Sequence, residues 1–152
     1  MGTSELSPTD DKATLRDAGT IAAFLWPWKP ALLGGAIGAG GSLLLGLLPP
    51  VGISLFGPLS AGLFLFFLVG GVGSVWRTRS SSPASEAGRA GRWIARHPWR
   101  YALVPALALL ATLFVAGVVL PGSALGALFS GFGEAVVVFA ATGIVAAVQR
   151  RS

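Results

Sequence analysis

The chain has 152 residues, of which 53% are hydrophobic and 11% are charged, whereas soluble domains usually carry about 25% charged residues. This composition excludes an ordinary water-soluble domain and predicts an integral membrane protein. The lack of cysteine and the single histidine exclude disulfides and metal sites built from several Cys or His side chains. The net charge of +5 comes mostly from arginines that flank apolar segments. This position of the arginines favours the lipid bilayer, not nucleic acid, as the partner.

Residues 1–29 precede the first long apolar stretch and are interpreted as a cytoplasmic tail. Their acidic residues and the lack of a short apolar segment are not the pattern of a signal peptide. A weakly amphipathic surface helix is predicted around Lys12–Leu25, and the prolines that follow it end this segment before the membrane begins.

Two stretches nearly free of charge follow. Residues 30–76 carry no charged side chain, and residues 101–148 carry one, Glu134. Each stretch is about twice the 20 residues that cross a bilayer as a helix. Because each has a proline- and glycine-containing turn near its middle, each predicts a helical hairpin. The turns are at 49–52 and 121–123, and the four predicted spans are 31–48, 55–76, 101–120 and 125–148.

The predicted fold is an all-α, four-helix membrane bundle made of two tandem hairpins. The apolar runs are continuous, which argues against the alternating pattern of membrane strands. Basic residues lie before, between and after the hairpins, and neither predicted hairpin turn contains one. The positive-inside rule therefore predicts that the arginine-rich loop 77–100 and both termini, including residues 149–152, lie in the cytoplasm. The predicted location is the plasma membrane.

The two hairpins resemble copies of one unit. Pro-Trp-Lys at 27–29 recurs as Pro-Trp-Arg at 98–100, 71 positions later, and Pro50 recurs as Pro121 at the same displacement. Since each copy contains an even number of spans, duplication would give parallel repeats in the membrane. The alternative is two unrelated hairpins that obey the same membrane rules.

The loop between the hairpins contains a predicted basic amphipathic helix over 85–97. Its arginines are spaced i, i+3 and i+7 along one side, and apolar residues lie across from them. Such a helix can lie in the interface and meet anionic headgroups, and the alternative is that it only anchors the topology. The residues assigned to the headgroup region are Arg89, Arg92, Trp93, Arg96, Trp99 and Arg100.

The first predicted span has the strongest helix-packing pattern in the chain. Small residues recur in it every four positions, and small residues let two helix backbones approach closely. The pattern predicts either close packing inside the bundle or an interface with a second copy or another membrane protein. The predicted packing residues are Gly34, Gly38, Ser42 and Gly46.

Glu134 is the only acidic or basic residue within a predicted span. Because a carboxylate is costly to bury in hydrocarbon, such a residue is a candidate functional site. The alternative is that the fourth span begins after Gly133, which would place Glu134 at the outer interface and at a helix N-terminus.

No catalytic pair, metal-ligand cluster or nucleotide motif is recognisable, so we expect neither an enzyme nor a cofactor. The favoured hypothesis is a small polytopic membrane protein that acts through helix packing, as a scaffold, an accessory subunit or a homo-oligomer. The alternative hypothesis is a small transporter or channel that uses Glu134.

Overall fold

The computed structural model describes residues 15–48, 55–82, 84–120 and 124–149. These ranges form six helices and contain no strand, so the predicted all-α class is confirmed. The two predicted hairpin turns, 49–52 and 121–123, lie outside the described residues. In chain order the helices are α1 Leu15–Leu25, α2 Trp28–Gly46, α3 Phe56–Arg79, α4 Glu86–Arg96, α5 Pro98–Val119 and α6 Ala124–Gln149.

Within the described residues, three helices are long and apolar enough to cross a membrane. They are Phe56–Arg79, Pro98–Val119 and Leu125–Gln149, which correspond to the second, third and fourth predicted spans. The helix at the first predicted span, α2, is not among them, so the four-span prediction is not confirmed there. The physical reason is its composition, since its 19 residues combine Lys29 with many glycines, which add little hydropathy.

The outer faces of the long helices are strongly apolar. Leu44 of α2, Val119 of α5 and Phe129 of α6 are 68%, 75% and 76% exposed, respectively. Continuous apolar surface of this kind is rare on a soluble monomer, whereas hydrocarbon covers it in a bilayer. The exposed surface therefore agrees with the three membrane-span candidates.

The helix α3 joins the other elements together. It packs along α2, and α5 and α6 pack along each other in a second extensive contact. Contacts of α3 with both α5 and α6 join the two pairs, and α1 and α4 also touch α3. In contrast, the extensive contacts of α2 with other described helices are with α3 alone.

The helices α3 and α6 run in the same direction. In their amino-terminal halves, Ser60 of α3 hydrogen-bonds to Glu134 of α6. Near their last residues, the Gln149 side chain hydrogen-bonds to the Val75 carbonyl. Both pairs are separated by 74 positions in the chain, and only a parallel pair of helices keeps a constant separation along its length.

The short helices α1 and α4 pack on one end of the long helices. Ser85 begins α4, because its hydroxyl accepts a hydrogen bond from the Gly88 amide. The apolar sides of α1 and α4 meet α3, α5 and α6 in one buried cluster, so both short helices rest on the long ones. The buried members of this cluster are Ala22, Leu25, Val75, Ile94, Tyr101 and Ala146.

Candidate functional site

Glu134 lies well inside a membrane-span candidate. The helix α6 begins at Ala124 and ends at Gln149. At 1.5 Å per residue, Glu134 is therefore about 15 Å from the first residue of α6 and about 22 Å from the last. Gly131 and Gly133 do not start this helix, and the carboxylate is not at a helix N-terminus.

The Glu134 carboxylate makes one hydrogen bond across the contact between α3 and α6. The Ser60 hydroxyl donates to Oε1 over 2.5 Å. The second oxygen, Oε2, is buried and has no hydrogen-bond partner among the described residues. No ion pair of Glu134 forms within the described ranges of the chain either. A buried acceptor that lacks a donor is costly, especially when it can carry charge.

An apolar layer follows the Glu134–Ser60 pair toward the Gln149 end of α6. Val138 lies one helical turn beyond Glu134 and is fully buried. Side chains of α3, α5 and α6 form this layer. Its members are Leu109 and Val138, with Phe64 and Phe67 packed against them. Leu113 of the same cluster lies on the other side of Glu134, beside Gly131.

An inner polar group lies beyond the apolar layer and consists of Ser74, Tyr101 and Thr142. Ser74 hydrogen-bonds to the Tyr101 hydroxyl, and it donates to the Gly71 carbonyl over 2.7 Å. Thr142 is fully buried, and its hydroxyl oxygen has no hydrogen-bond partner among the described residues. Three hydroxyl side chains from three helices thus lie in the interior near the end that carries α1 and α4.

Pro105 brings a further polar group to this region. It lies inside α5, where the missing amide hydrogen leaves the carbonyl of Tyr101 without its helical donor. A Cβ atom added to Gly71 would lie 2.7 Å from the Thr142 hydroxyl oxygen and 3.3 Å from Pro105 Cγ. The proline, the threonine and the α3 backbone are therefore in close contact beside the inner polar group.

The predicted packing residues of α2 divide into two sets. A Cβ atom added to Gly38 would lie 2.5 Å from the Ala61 carbonyl oxygen, and one added to Gly34 would lie 2.9 Å from Val69 Cγ2. Ser42 lies farther from α3, since its hydroxyl oxygen is 3.8 Å from a Cβ atom built on Gly57. At Gly46 no described atom lies within 4 Å of such a Cβ atom. Of the four predicted packing residues, Gly34 and Gly38 therefore lie nearest α3, and the two backbones also approach closely at Gly35 and Gly62.

The predicted headgroup residues lie at the end that carries α4. Arg89, Arg92 and Arg96 are exposed, and Arg89 lies 3.8 Å from Glu86 on the same helix. Arg100 is also exposed and shares a groove with Arg96. The two tryptophans differ from the arginines because they also pack within the chain. Trp93 contacts the His97 ring, and Trp99 contacts Phe139 and the backbone at Gly143.

No family model, curated protein or solved structure matches the chain. The residues that sequence reasoning missed are Ser60, Ser74, Tyr101 and Thr142. Single hydroxyl residues in an apolar run form no motif, and their importance depends on which helices face each other. Pro105 within a span was the one available signal, because a proline frees a backbone carbonyl inside a helix.

Proposed function

We propose that the chain is a small, non-enzymatic polytopic membrane protein that carries protons across the bilayer, with Glu134 as the group that binds and releases them. The observation that supports this proposal is the buried Oε2 atom, which lies within a membrane-span candidate and has no donor among the described residues. A proton on Oε2 removes the cost of an unpaired carboxylate in hydrocarbon. No other acidic or basic side chain lies within the predicted spans.

The polar and apolar groups along α3 and α6 supply the rest of the proposed route. Ser60 holds one oxygen of the carboxylate, which keeps the other oxygen oriented within the contact between the helices. The apolar layer separates Glu134 from the inner polar group, so a proton released inward crosses only when side chains such as Phe67 move. We assign this layer the role of a gate.

The proposed topology is the four-helix bundle with both termini in the cytoplasm, placed in the plasma membrane. In this topology α2 also crosses the membrane, as the first of the four spans, although glycine and Lys29 make it less apolar than α3, α5 and α6. Duplication is supported by the helix bounds, since α1 ends at Leu25 and α4 ends at Arg96, 71 positions apart. The parallel direction of α3 and α6 agrees with parallel repeats.

A flux assay in liposomes tests the proton proposal. The full chain is reconstituted into liposomes that enclose a pH-sensitive dye, and the membrane potential is clamped with potassium and valinomycin. We expect acidification with the wild type and only the background of empty liposomes with Glu134→Gln, which keeps the side-chain shape but cannot release a proton. Equal rates for the two proteins, or no flux with the wild type, would show that Glu134 carries no protons.

An oligomeric or accessory role through helix packing is the second candidate. It is supported by the position of α2, whose extensive contacts are with α3 alone. The opposite side of α2 presents Gly40, where no described atom lies within 4 Å of an added Cβ atom. A second copy of the chain or a partner helix is able to approach closely at this position.

Cysteine crosslinking in native membranes tests this second role, because the chain contains no cysteine of its own. Gly40→Cys should form a crosslinked dimer if the free side of α2 is the interface. The control is Ile144→Cys on α6, which is an exposed position on a different helix. A strictly monomeric pattern for both variants, with no partner recovered, would count against the packing role.

A further inference from the structure

A groove at the end that carries α4 takes no part in the proton route. It lies between the last turn of α3 and one side of α4, and the end of α6 closes it at Gln149. Its volume is about 410 Å³. We call it the arginine groove, because Arg79 of α3 and Arg92 of α4 both line it.

The charge of the arginine groove has one sign. Two guanidinium groups from different helices line it, and no acidic side chain of the described residues does. Two cations that share a groove repel each other, and an anion between them removes that repulsion. Guanidinium groups present paired donors that match phosphate oxygens. The neighbouring hydroxyls of Thr78 and Ser81 donate to backbone carbonyls, so the guanidinium groups are the charged donors that line the groove.

The backbone fixes the spacing between the two sides of the groove. α4 approaches α3 through Gly91, where an added Cβ atom would lie 2.8 Å from Thr78 Cβ. Arg92 follows Gly91 directly, so this close approach sets its position relative to α3. On the other side, Arg79 lies 5.9 Å from the centre of the Trp76 ring, a distance at which the ring attracts the cation.

The depth of the groove matches the phosphate region of a bilayer. Arg79 is the last residue of a membrane-span candidate, and the exposed Trp76 lies one turn before it. Tryptophan at the end of a span favours the interface between hydrocarbon and headgroups. We propose that the arginine groove is a specific site for an anionic phospholipid, whose headgroup phosphate binds between Arg79 and Arg92.

Lipid retention by the purified full chain tests this site. The protein in detergent is mixed with phosphatidylglycerol or phosphatidylcholine, and bound lipid is counted by native mass spectrometry. We expect retention of phosphatidylglycerol by the wild type, and an affinity about thirtyfold lower in Arg79→Gln/Arg92→Gln, since two cation–phosphate contacts are lost. The matched control is Lys29→Gln/Arg77→Gln, which removes the same charge from two exposed residues outside the groove and should retain the lipid.

Two further arms make the result decisive. Arg79→Lys/Arg92→Lys keeps the charge but loses the paired donors, and it should bind several-fold more weakly than the wild type. Inorganic phosphate in millimolar excess should leave the bound lipid in place. Equal losses of bound phosphatidylglycerol in the two glutamine variants would show that the lipid is held by general surface charge and not by the groove. Full retention in both, or replacement of the lipid by inorganic phosphate, would also overturn the proposal.

Discussion

Replacing Gly38 by alanine tests the contact that holds α2 on α3. The new Cβ atom would lie 2.5 Å from the Ala61 carbonyl oxygen and 3.0 Å from Leu65 Cδ1. Leu65 can change its rotamer, but the carbonyl belongs to the backbone of α3 and cannot move alone. The two helices must therefore separate along their contact, and overpacking of this kind costs about 1–3 kcal/mol.

Gly41→Ala is the matched control, because it makes the same change in the same helix where an added Cβ atom meets no described atom within 4 Å. Alanine favours the helical backbone over glycine by about 1 kcal/mol, and this gain is common to both variants. The difference between them therefore isolates the steric cost. We expect Gly38→Ala to be less stable than Gly41→Ala by about 1–3 kcal/mol.

The assay is reversible unfolding in mixed micelles with increasing sodium dodecyl sulfate, followed by far-ultraviolet circular dichroism. Gly34→Ala provides a graded comparison, since its nearest neighbour is the Val69 side chain, 2.9 Å from the added Cβ atom. A second substitution, Val69→Ala, should relieve that variant, whereas no side-chain truncation relieves Gly38→Ala. The reasoning is refuted if Gly38→Ala and Gly41→Ala unfold at the same detergent composition.

Two other substitutions test the interior and the helix at the interface. Thr142→Val removes a fully buried hydroxyl without a partner among the described residues and should stabilise the protein by about 1 kcal/mol. The control Thr112→Val, at an exposed hydroxyl that donates to the Ala108 carbonyl, should change stability little, and equal effects would argue against an unpaired Thr142. Ser85→Ala removes the hydrogen bond to the Gly88 amide and should cost α4 about 1 kcal/mol. Faster amide hydrogen exchange confined to the first turn of α4 would show this, and unchanged exchange would contradict it.

The positions of the helices were predictable from the sequence where a single large free-energy contribution determines them. Burial of uncharged apolar runs in hydrocarbon decides the positions of α3, α5 and α6, and the predicted spans 55–76, 101–120 and 125–148 agree with them. The first predicted span, 31–48, is not among the membrane-span candidates, because glycine and Lys29 lower the mean hydropathy of α2. Glycine spacing indicated a close helix contact, but it did not identify α3 as the partner.

Only part of the candidate site was predictable from the sequence, because its other residues come together through helix packing. Glu134 stands out as a charge in an apolar run, so sequence alone finds it. Ser60 becomes relevant only through the parallel register of α3 and α6, which joins positions 74 apart in the chain. Thr142 and Pro105 meet through packing with Gly71, and no local pattern in the sequence encodes that contact.

Proton flux in liposomes at a clamped potential is the most direct test of the central proposal. The comparison includes the wild type, Glu134→Gln and two serine variants. Ser60→Ala removes the hydrogen bond to Oε1, and the control Ser130→Ala alters an exposed serine on α6 whose hydroxyl donates to the Ala127 carbonyl. We predict background flux for Glu134→Gln, a several-fold lower rate for Ser60→Ala and the wild-type rate for Ser130→Ala. Wild-type flux in Glu134→Gln, or a wild-type protein as tight to protons as empty liposomes, would contradict the account.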